Sequence, residues 1–480
     1  MPTPISQLRA RALSQYTQAV EDILARAQVQ TGDPDLSFMD LNDPAGSVVR
    51  FCQAGGIGSY QQLNLISGLM SLTWWCGLSL SEGDHAAIMA TARRALRDLV
   101  GRPSGLGLER LSGPRHHLIF TGQLQSPHHS PSRGAIDYAR AIAEGDPGAS
   151  ITFLLAPFQI HPDTAAHARQ AFSALDVSPD FRDFNQDGVI RDILDRSDHL
   201  ISHICCANAL DPRISALSLI TPTIMFTCGD VPPFQYADVY WHQQSDDYVR
   251  ALWSRYGVPP AFIANYSGGA PCTHDGADDT FHRATKSDFG FSDDQVILVT
   301  VGNRLGVDMG PDFIAGMLDL TLGDSRLVWL IVGPLDPALL ATLQQAAGGQ
   351  IMHIPFSTEL LTLLSMTDIF ANPFRKGGGE SALSAMRAGT VVMTRTDFGD
   401  VAALVPPASD IPDAEAFFGE LRALTRSSAL REARLRDQSA RLAEILDQSV
   451  LSRVIQAHVS TATDRFARRQ IFRTDILPET

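Results

Sequence analysis

The 480-residue chain contains no run of about 18 sustained apolar, uncharged residues, the length an α-helix needs to span a bilayer, so no membrane-crossing helix is expected. The opening Met1-Pro2-Thr3-Pro4-Ile5 lacks a basic head followed by an apolar core, which predicts no secretory leader and a cytoplasmic location. Cysteine is sparse: Cys52, Cys76, Cys205, Cys206, Cys228 and Cys272 are scattered and form no Cys-x-x-Cys, which favours reduced thiols over a disulfide or zinc framework. Positive charge is also short, with 38 Lys and Arg against 53 Asp and Glu and a formal net charge of −15. Nucleic acid is therefore excluded as the expected partner, because phosphate contacts need a basic surface. An acidic protein that binds a smaller phosphate ligand must gather its few cations locally, so their positions are informative.

What is present is a large, foldable chain, 44% hydrophobic and 19% charged, long enough for several domains. Residues 1–105 read as an all-helical domain. Ile5, Leu8, Leu13, Tyr16, Val20, Ile23 and Leu24 recur at helical spacing, Asn42-Asp43-Pro44 opens a second helix, Gly58-Ser59 precedes a third ending near Trp74-Trp75, and Ser81-Glu82-Gly83-Asp84 caps a fourth to about Leu99. From Pro114 the pattern becomes strands alternating with helices. Apolar runs at His117–Thr121, Ile151–Leu155, Leu200–Ile204, Thr223–Phe226 and Val239–Trp241 predict a parallel sheet within residues 114–258. A linker, Pro259–Gly269, precedes a second series in residues 270–410, with runs at Gln295–Val301, Leu327–Gly333, Gln350–Ile354, Ile369–Ala371 and Val391–Met393. Residues 411–480 return to helix, with a charged amphipathic helix near 428–446. The fold class is α/β: two doubly wound domains facing a cleft, preceded by helices, with ligands expected beyond the carboxyl ends of the strands.

The most informative segment is Asn372-Pro373-Phe374-Arg375-Lys376-Gly377-Gly378-Gly379-Glu380, where a buried strand runs through a glycine turn into a helix ended by Gly389. Glycines at a helix N-terminus let the backbone approach a ligand and leave amides aimed at it. Those amides, the helix dipole and two adjacent cations suit a diphosphate, although a plain tight turn uses the same residues.

Five further segments, in order, resemble the C-terminal domain of GT-B glycosyltransferases between about residues 256 and 400. They are Arg255-Tyr256-Gly257-Val258-Pro259-Pro260, Val301-Gly302-Asn303-Arg304-Leu305, Leu330-Ile331-Val332-Gly333-Pro334, the loop His353 to Leu360, and Met386-Arg387-Ala388-Gly389-Thr390-Val391-Val392. Asn372-Pro373-Phe374 followed by Gly377 and Gly389 is similar to family 41, the family of O-GlcNAc transferase and the bacterial N-glycosyltransferases. The resemblance implies an inverting, metal-independent transfer of a sugar from a nucleotide-sugar, expected to be a UDP-sugar, to a protein side chain or a glycan. No cofactor besides the donor is implied. It further implies that Arg304, Arg375, Lys376, the Gly377, Gly378 and Gly379 amides and Ser381 hold the donor phosphates. His353, Pro355, Phe356 and Glu359 would frame the base.

The departures from the family pattern carry information too. Retaining GT-B enzymes place glutamates where this chain has Lys376 and Ser384, which counts against a retaining mechanism. The ribose acid of many relatives also falls on Ser384. Glu380 lies one turn earlier on the same helix face and is the candidate for the ribose hydroxyls. The family's phosphate lysine is absent near Arg304, which would substitute for it. On the acceptor side, the loop Gly122–Gly134 follows the first strand and carries His128 and His129, either of which resembles a loop histidine of O-GlcNAc transferase and could accept a proton. Two surface histidines in a proline-rich loop are the plain alternative. His116-His117 read as structural, and the four histidines lack compact zinc spacing. Asp230, Asp238 and Asp246 are secondary candidates for the base, or loop caps. Asp183–Ile190 mimics half an EF-hand loop, but the twelfth position is Leu194, which favours a turn leading into a helix. Two other functions stay open: a nucleotide-sugar epimerase or hydrolase of the same architecture, and a degenerate module that only binds a partner.

Overall fold

The computed structural model of the chain describes, apart from isolated positions, residues 44–53, 81–100, 114–122, 124–125, 129–155, 160–173, 177–184, 199–205, 221–227, 237–242, 246–255, 258–264, 281–397, 399–406 and 411–472. The helices expected at Ile5–Leu24 and near 58–75 lie largely or wholly outside the described residues. Among the described residues before the first strand stand α1 (Pro44–Gln53) and α2 (Glu82–Val100). Ser81 opens α2 as expected: its hydroxyl accepts from the Asp84 amide at 3.2 Å.

The first sheet contains β1 (Arg115–Thr121), β2 (Ser150–Leu155), β3 (Asp180–Asp183), β4 (His199–Cys205), β5 (Thr223–Phe226) and β6 (Val239–Trp241), with α3 (Ser130–Gly145) and α4 (Pro162–Phe172) as crossovers and α5 (Asp246–Arg255) after it. Every strand pair is parallel, in the order β3-β2-β1-β4-β5-β6. Among the described residues, β3 is the one strand that sequence did not announce. Asp180-Phe181-Arg182-Asp183 is short, polar and at the sheet edge, so it carries no apolar run to read. The turn expected after Asp183 follows it, with the Gln186 amide donating to the Asp183 carbonyl at 3.1 Å.

The second sheet contains β7 (Val296–Val301), β8 (Leu327–Val332), β9 (Ile351–Ile354), β10 (Ile369–Ala371) and β11 (Val391–Met393), in the parallel order β11-β10-β7-β8-β9. Between the strands run α6 (Leu305–Asp308), α7 (Pro311–Gly323), α8 (Pro337–Ala347), α9 (Leu360–Ser365) and α10 (Gly379–Ala388). All side chains of β7 and β8 are buried, as helices on both faces of a parallel sheet require. Ile297, Val299, Leu330 and Phe370 join one core with Ala382 and Met386 of α10, while Leu298, Trp329 and Ile331 join another with Phe313 and Met317 of α7.

α11 (Asp400–Leu404), α12 (Ala414–Arg426) and α13 (Ser428–Ile445) follow. α13 falls where the charged amphipathic helix was expected. The last helix, α14 (Gln448–Phe472), crosses back: Leu451, Ile455, Val459 and Ala462 are buried in the core of the first α/β domain. The Ser452 hydroxyl donates to the Ala141 carbonyl of α3 at 2.7 Å, and Arg465 donates to the carbonyls of Asp238 and Ala261 at 2.6 Å each. The chain thus closes on itself, with its C-terminal helix serving the N-terminal sheet.

Candidate functional site

In the second sheet the strand order reverses between β7 and β10, which are parallel neighbours although three apart in numbering. Such a switch point opens a crevice beyond the carboxyl ends of the two strands. Trp329 donates to the Thr300 hydroxyl at 3.0 Å, and Thr300 donates to the Ala371 carbonyl at 3.1 Å, fixing the ends of β8, β7 and β10 together. From β7 emerges Gly302-Asn303-Arg304, and from β10 the glycine turn. Both segments singled out in the sequence therefore meet at one place.

The turn is held from beneath by Arg375. Its side chain is buried, at 8% exposure, and donates to the Asn372 Oδ1 at 2.9 Å, the Val301 carbonyl at 2.8 Å and the Asp308 carboxylate at 3.2 Å. Gly302 and Gly378 make room for this guanidinium. A Cβ on Gly302 would overlap it, and one on Gly378 would lie 2.5 Å from Nη2. Gly378 also has φ +110°, a backbone state that only glycine adopts without strain. The expectation that Arg375 faces a ligand is therefore corrected: three internal acceptors draw it inward, and it stiffens the turn. Lys376, next to it, is exposed.

Arg304, the cation expected to replace a family lysine, donates to the other oxygen of Asp308 at 3.0 Å. Asp308 thus lies between two arginines. Burial, then the charge of Arg375, work to lower the Arg304 pKa, while Asp308 opposes that shift. Beyond the turn, Gly379, Glu380 and Ser381 form the first turn of α10, whose leading amides have no acceptor within the helix. Ser381 and Ser384 are half-buried, and Ser384 shares a face with Glu380. Asp400 of α11 stands at the same end, accepting a hydrogen bond from the Gly379 amide.

The expected base loop follows β9. The His353 Nε2 is 2.8 Å from the Gly333 carbonyl, so this ring ties the ends of β8 and β9 together. Pro355, Phe356 and Glu359 are exposed, and Phe356, at 65%, is the most exposed of the large hydrophobic residues among those described.

Across from the turn, α3 starts at His129, its N-cap. The His129 Nδ1 is 2.7 Å from the Ser132 hydroxyl, which accepts from the Gln125 amide at 3.0 Å. Burial holds this imidazole below its usual range, so it is neutral at pH 7. If Nδ1–H donates to Ser132, Nε2 keeps a lone pair for a proton. His128 lies outside the described residues. One turn into α3, Arg133 reaches Glu380 of α10, with Nη2 3.5 Å from Oε1. That ion pair brings the N-terminal ends of α3 and α10, and so His129 and the glycine turn, to face each other across the two domains.

His116 and His117 sit at the opposite end of β1, away from His129. Asp238 is buried and accepts from the Thr223 amide at 2.9 Å, a cap between β5 and β6. Asp230 and the Asp246 side chain lie outside the described residues. Sequence reasoning passed over three residues of the site, Asp308, Arg133 and Asp400. Asp308 had a readable i, i+4 spacing from Arg304; Arg133 is a cation in a helix first turn, where the dipole disfavours it. Asp400 announced itself only as the residue after Gly399.

No family model matches the chain, and no curated protein sequence matches it. Solved structures do. A point mutant of the O-GlcNAc transferase of Thermobaculum terrenum superposes with a TM-score of 0.62 at 15% identity, covering 98% of this chain and 100% of that one. HepE of Anabaena, solved in complex with UDP and glucose, gives 0.52 at 11% identity over 72% of this chain and 99% of its own; its UDP-glucose complex gives 0.52 at 10%. The class of fold is therefore GT-B: two Rossmann-like domains, here with the C-terminal helix returned to the first.

Proposed function

We propose that the protein is an inverting glycosyltransferase that uses a nucleotide-sugar, expected to be a UDP-sugar, and resembles family 41 in its donor loop. The observation that carries this reading is the Arg133–Glu380 contact, which sets the glycine turn of the second domain against the His129 end of α3. In the reaction the acceptor oxygen or nitrogen attacks the anomeric carbon as the bond from that carbon to the diphosphate breaks. The acceptor proton passes to Nε2 of His129, neutral through burial. The charge that develops on the diphosphate meets the leading amides of α10, Lys376 and Arg304, which do the work a metal does elsewhere. Glu380 would turn from Arg133 to the ribose hydroxyls. Phe356, exposed beside the strand ends, offers a flat surface for the base. The absence of a second carboxylate at Lys376 or Ser384 supports inversion over retention. A protein side chain or a glycan is the proposed acceptor, and no cofactor beyond the donor is required.

A thermal-shift panel of UDP, GDP, ADP, CMP and TDP tests the reading. A ligand that binds only the folded state at 100 times its Kd stabilises it by about 2.7 kcal/mol. UDP is expected to raise the melting temperature most. A flat response to all five would leave the protein as a fold without a donor.

A further inference from the structure

Asp400 is unexplained by the function proposed above. It opens α11 and packs against the turn: its amide donates to the Lys376 carbonyl at 3.0 Å. A Cβ on Gly379 would come within 3.1 Å of its Oδ2, so the carboxylate lies directly at the leading amides of α10. Oδ1 is buried and has no hydrogen-bond partner among the described residues. An anionic oxygen enclosed in this way lacks the second donor that would make its charge inexpensive.

The charged groups around it are countable. Arg375 approaches from beneath the turn, and it already serves Asp308. Lys376 is exposed on the turn, and Glu380 lies on the next residue of α10, paired with Arg133 of α3. From α13, Arg441 donates to the Ala403 carbonyl at 3.0 Å, at the far end of α11. A donor diphosphate at the leading amides of α10 would therefore sit beside a carboxylate already there. Two anions sharing one set of amides is the arrangement that drives a proton onto one of them.

We propose that Asp400 is a working residue of the donor site and takes up a proton when a nucleotide-sugar binds, so that the diphosphate replaces its charge at the helix end. The inference rests on the nucleotide-site reading. Burial already pushes the Asp400 carboxyl up to about 6, with the Gly379 amide and Arg375 opposing, which leaves it ionised at pH 7.5 before binding and within reach of protonation after it. Between about 6 and the higher value the carboxyl takes in the complex, affinity should fall by up to about tenfold per pH unit.

The test is calorimetric titration of the full chain with UDP-glucose and UDP-GlcNAc at pH 7.5 in two buffers of different ionisation enthalpy. A nucleotide-sugar diphosphate has no ionisation of its own near this pH, so the buffer difference counts protons taken up by the protein. Uptake approaching one proton is expected in the wild type and none in Asp400→Asn, whose amide mimics the protonated acid and should bind more tightly at pH 8. Binding with equal heats in both buffers would overturn the inference and leave the donor site standing. Uptake that persists in Asp400→Asn would assign the proton elsewhere and overturn it as well. No heat and no melting shift with either sugar nucleotide would remove the donor site, and the inference with it. The wild-type titration stands even if the variant does not fold.

Discussion

Arg375 and His129 show how one side chain can be read correctly as important yet assigned to different places by sequence and structure. An arginine before three glycines signals an anion site, and nothing in the local spacing shows that its guanidinium will find Asp308, Asn372 and Val301 behind it. Removing one partner of a buried charge cluster strands the others. Arg375→Met is therefore expected to lower unfolding free energy by about 3 kcal/mol, read by urea denaturation. A change under 1 kcal/mol would mean the clasp is ornamental. His129→Ala should leave folding intact and lower kcat by about 100-fold or more with little change in donor KM, since the imidazole acts on the acceptor side. Unaltered turnover in that variant would return the histidine to the surface-loop reading.

The elements were largely legible, because parallel strands buried on both faces are continuous apolar runs. Thr223–Phe226, Val239–Trp241, Ile369–Ala371 and Val391–Met393 begin and end where the runs do. β3 escaped because an edge strand needs no such run. Also illegible was a chain of buried polar groups beneath the first sheet, whose members lie far apart in sequence. Asp146 can only accept, so the His117 Nε2–H donates to it, at 3.2 Å; the His203 Nε2–H then donates to His117 Nδ1 at 2.8 Å, and the Tyr138 hydroxyl to His203 Nδ1 at 2.9 Å. This order requires both imidazoles neutral, and burial holds both below their usual range. His116, His129 and His458 shift the same way, His458 to about 4. Groups whose folded pKa is depressed stabilise fully above the unfolded value of about 6.5, and lose that contribution as pH falls through it, because the unfolded chain then binds protons that the folded one refuses. The urea midpoint should be level from pH 8 to 7 and drop steadily from 6.5 to 5; a midpoint unchanged at pH 5 would contradict the neutral relay.

At the scale of the whole molecule, two domains are joined by more than the linker. α14 returns from the second domain to the core of the first, and no local pattern in residues 448–472 says which core it will enter. Ile455→Ala should destabilise the protein by about 3 kcal/mol, as for other fully buried large-to-small changes. Loss of less than 1 kcal/mol would mean the helix is a dispensable tail. Among the described residues, no helix is long and apolar enough to cross a membrane. The sequence revealed the pairing of two doubly wound domains and the place of the glycine turn. It could not reveal Arg133 meeting Glu380, because that contact depends on how the domains face each other. The most direct test of a diphosphate at the turn is the melting shift produced by saturating UDP in the wild type and in Lys376→Glu, an exposed change that reverses the charge at the turn. A clear upward shift in the wild type and little or none in the variant is predicted; no shift in the wild type, or equal shifts in both, would contradict it.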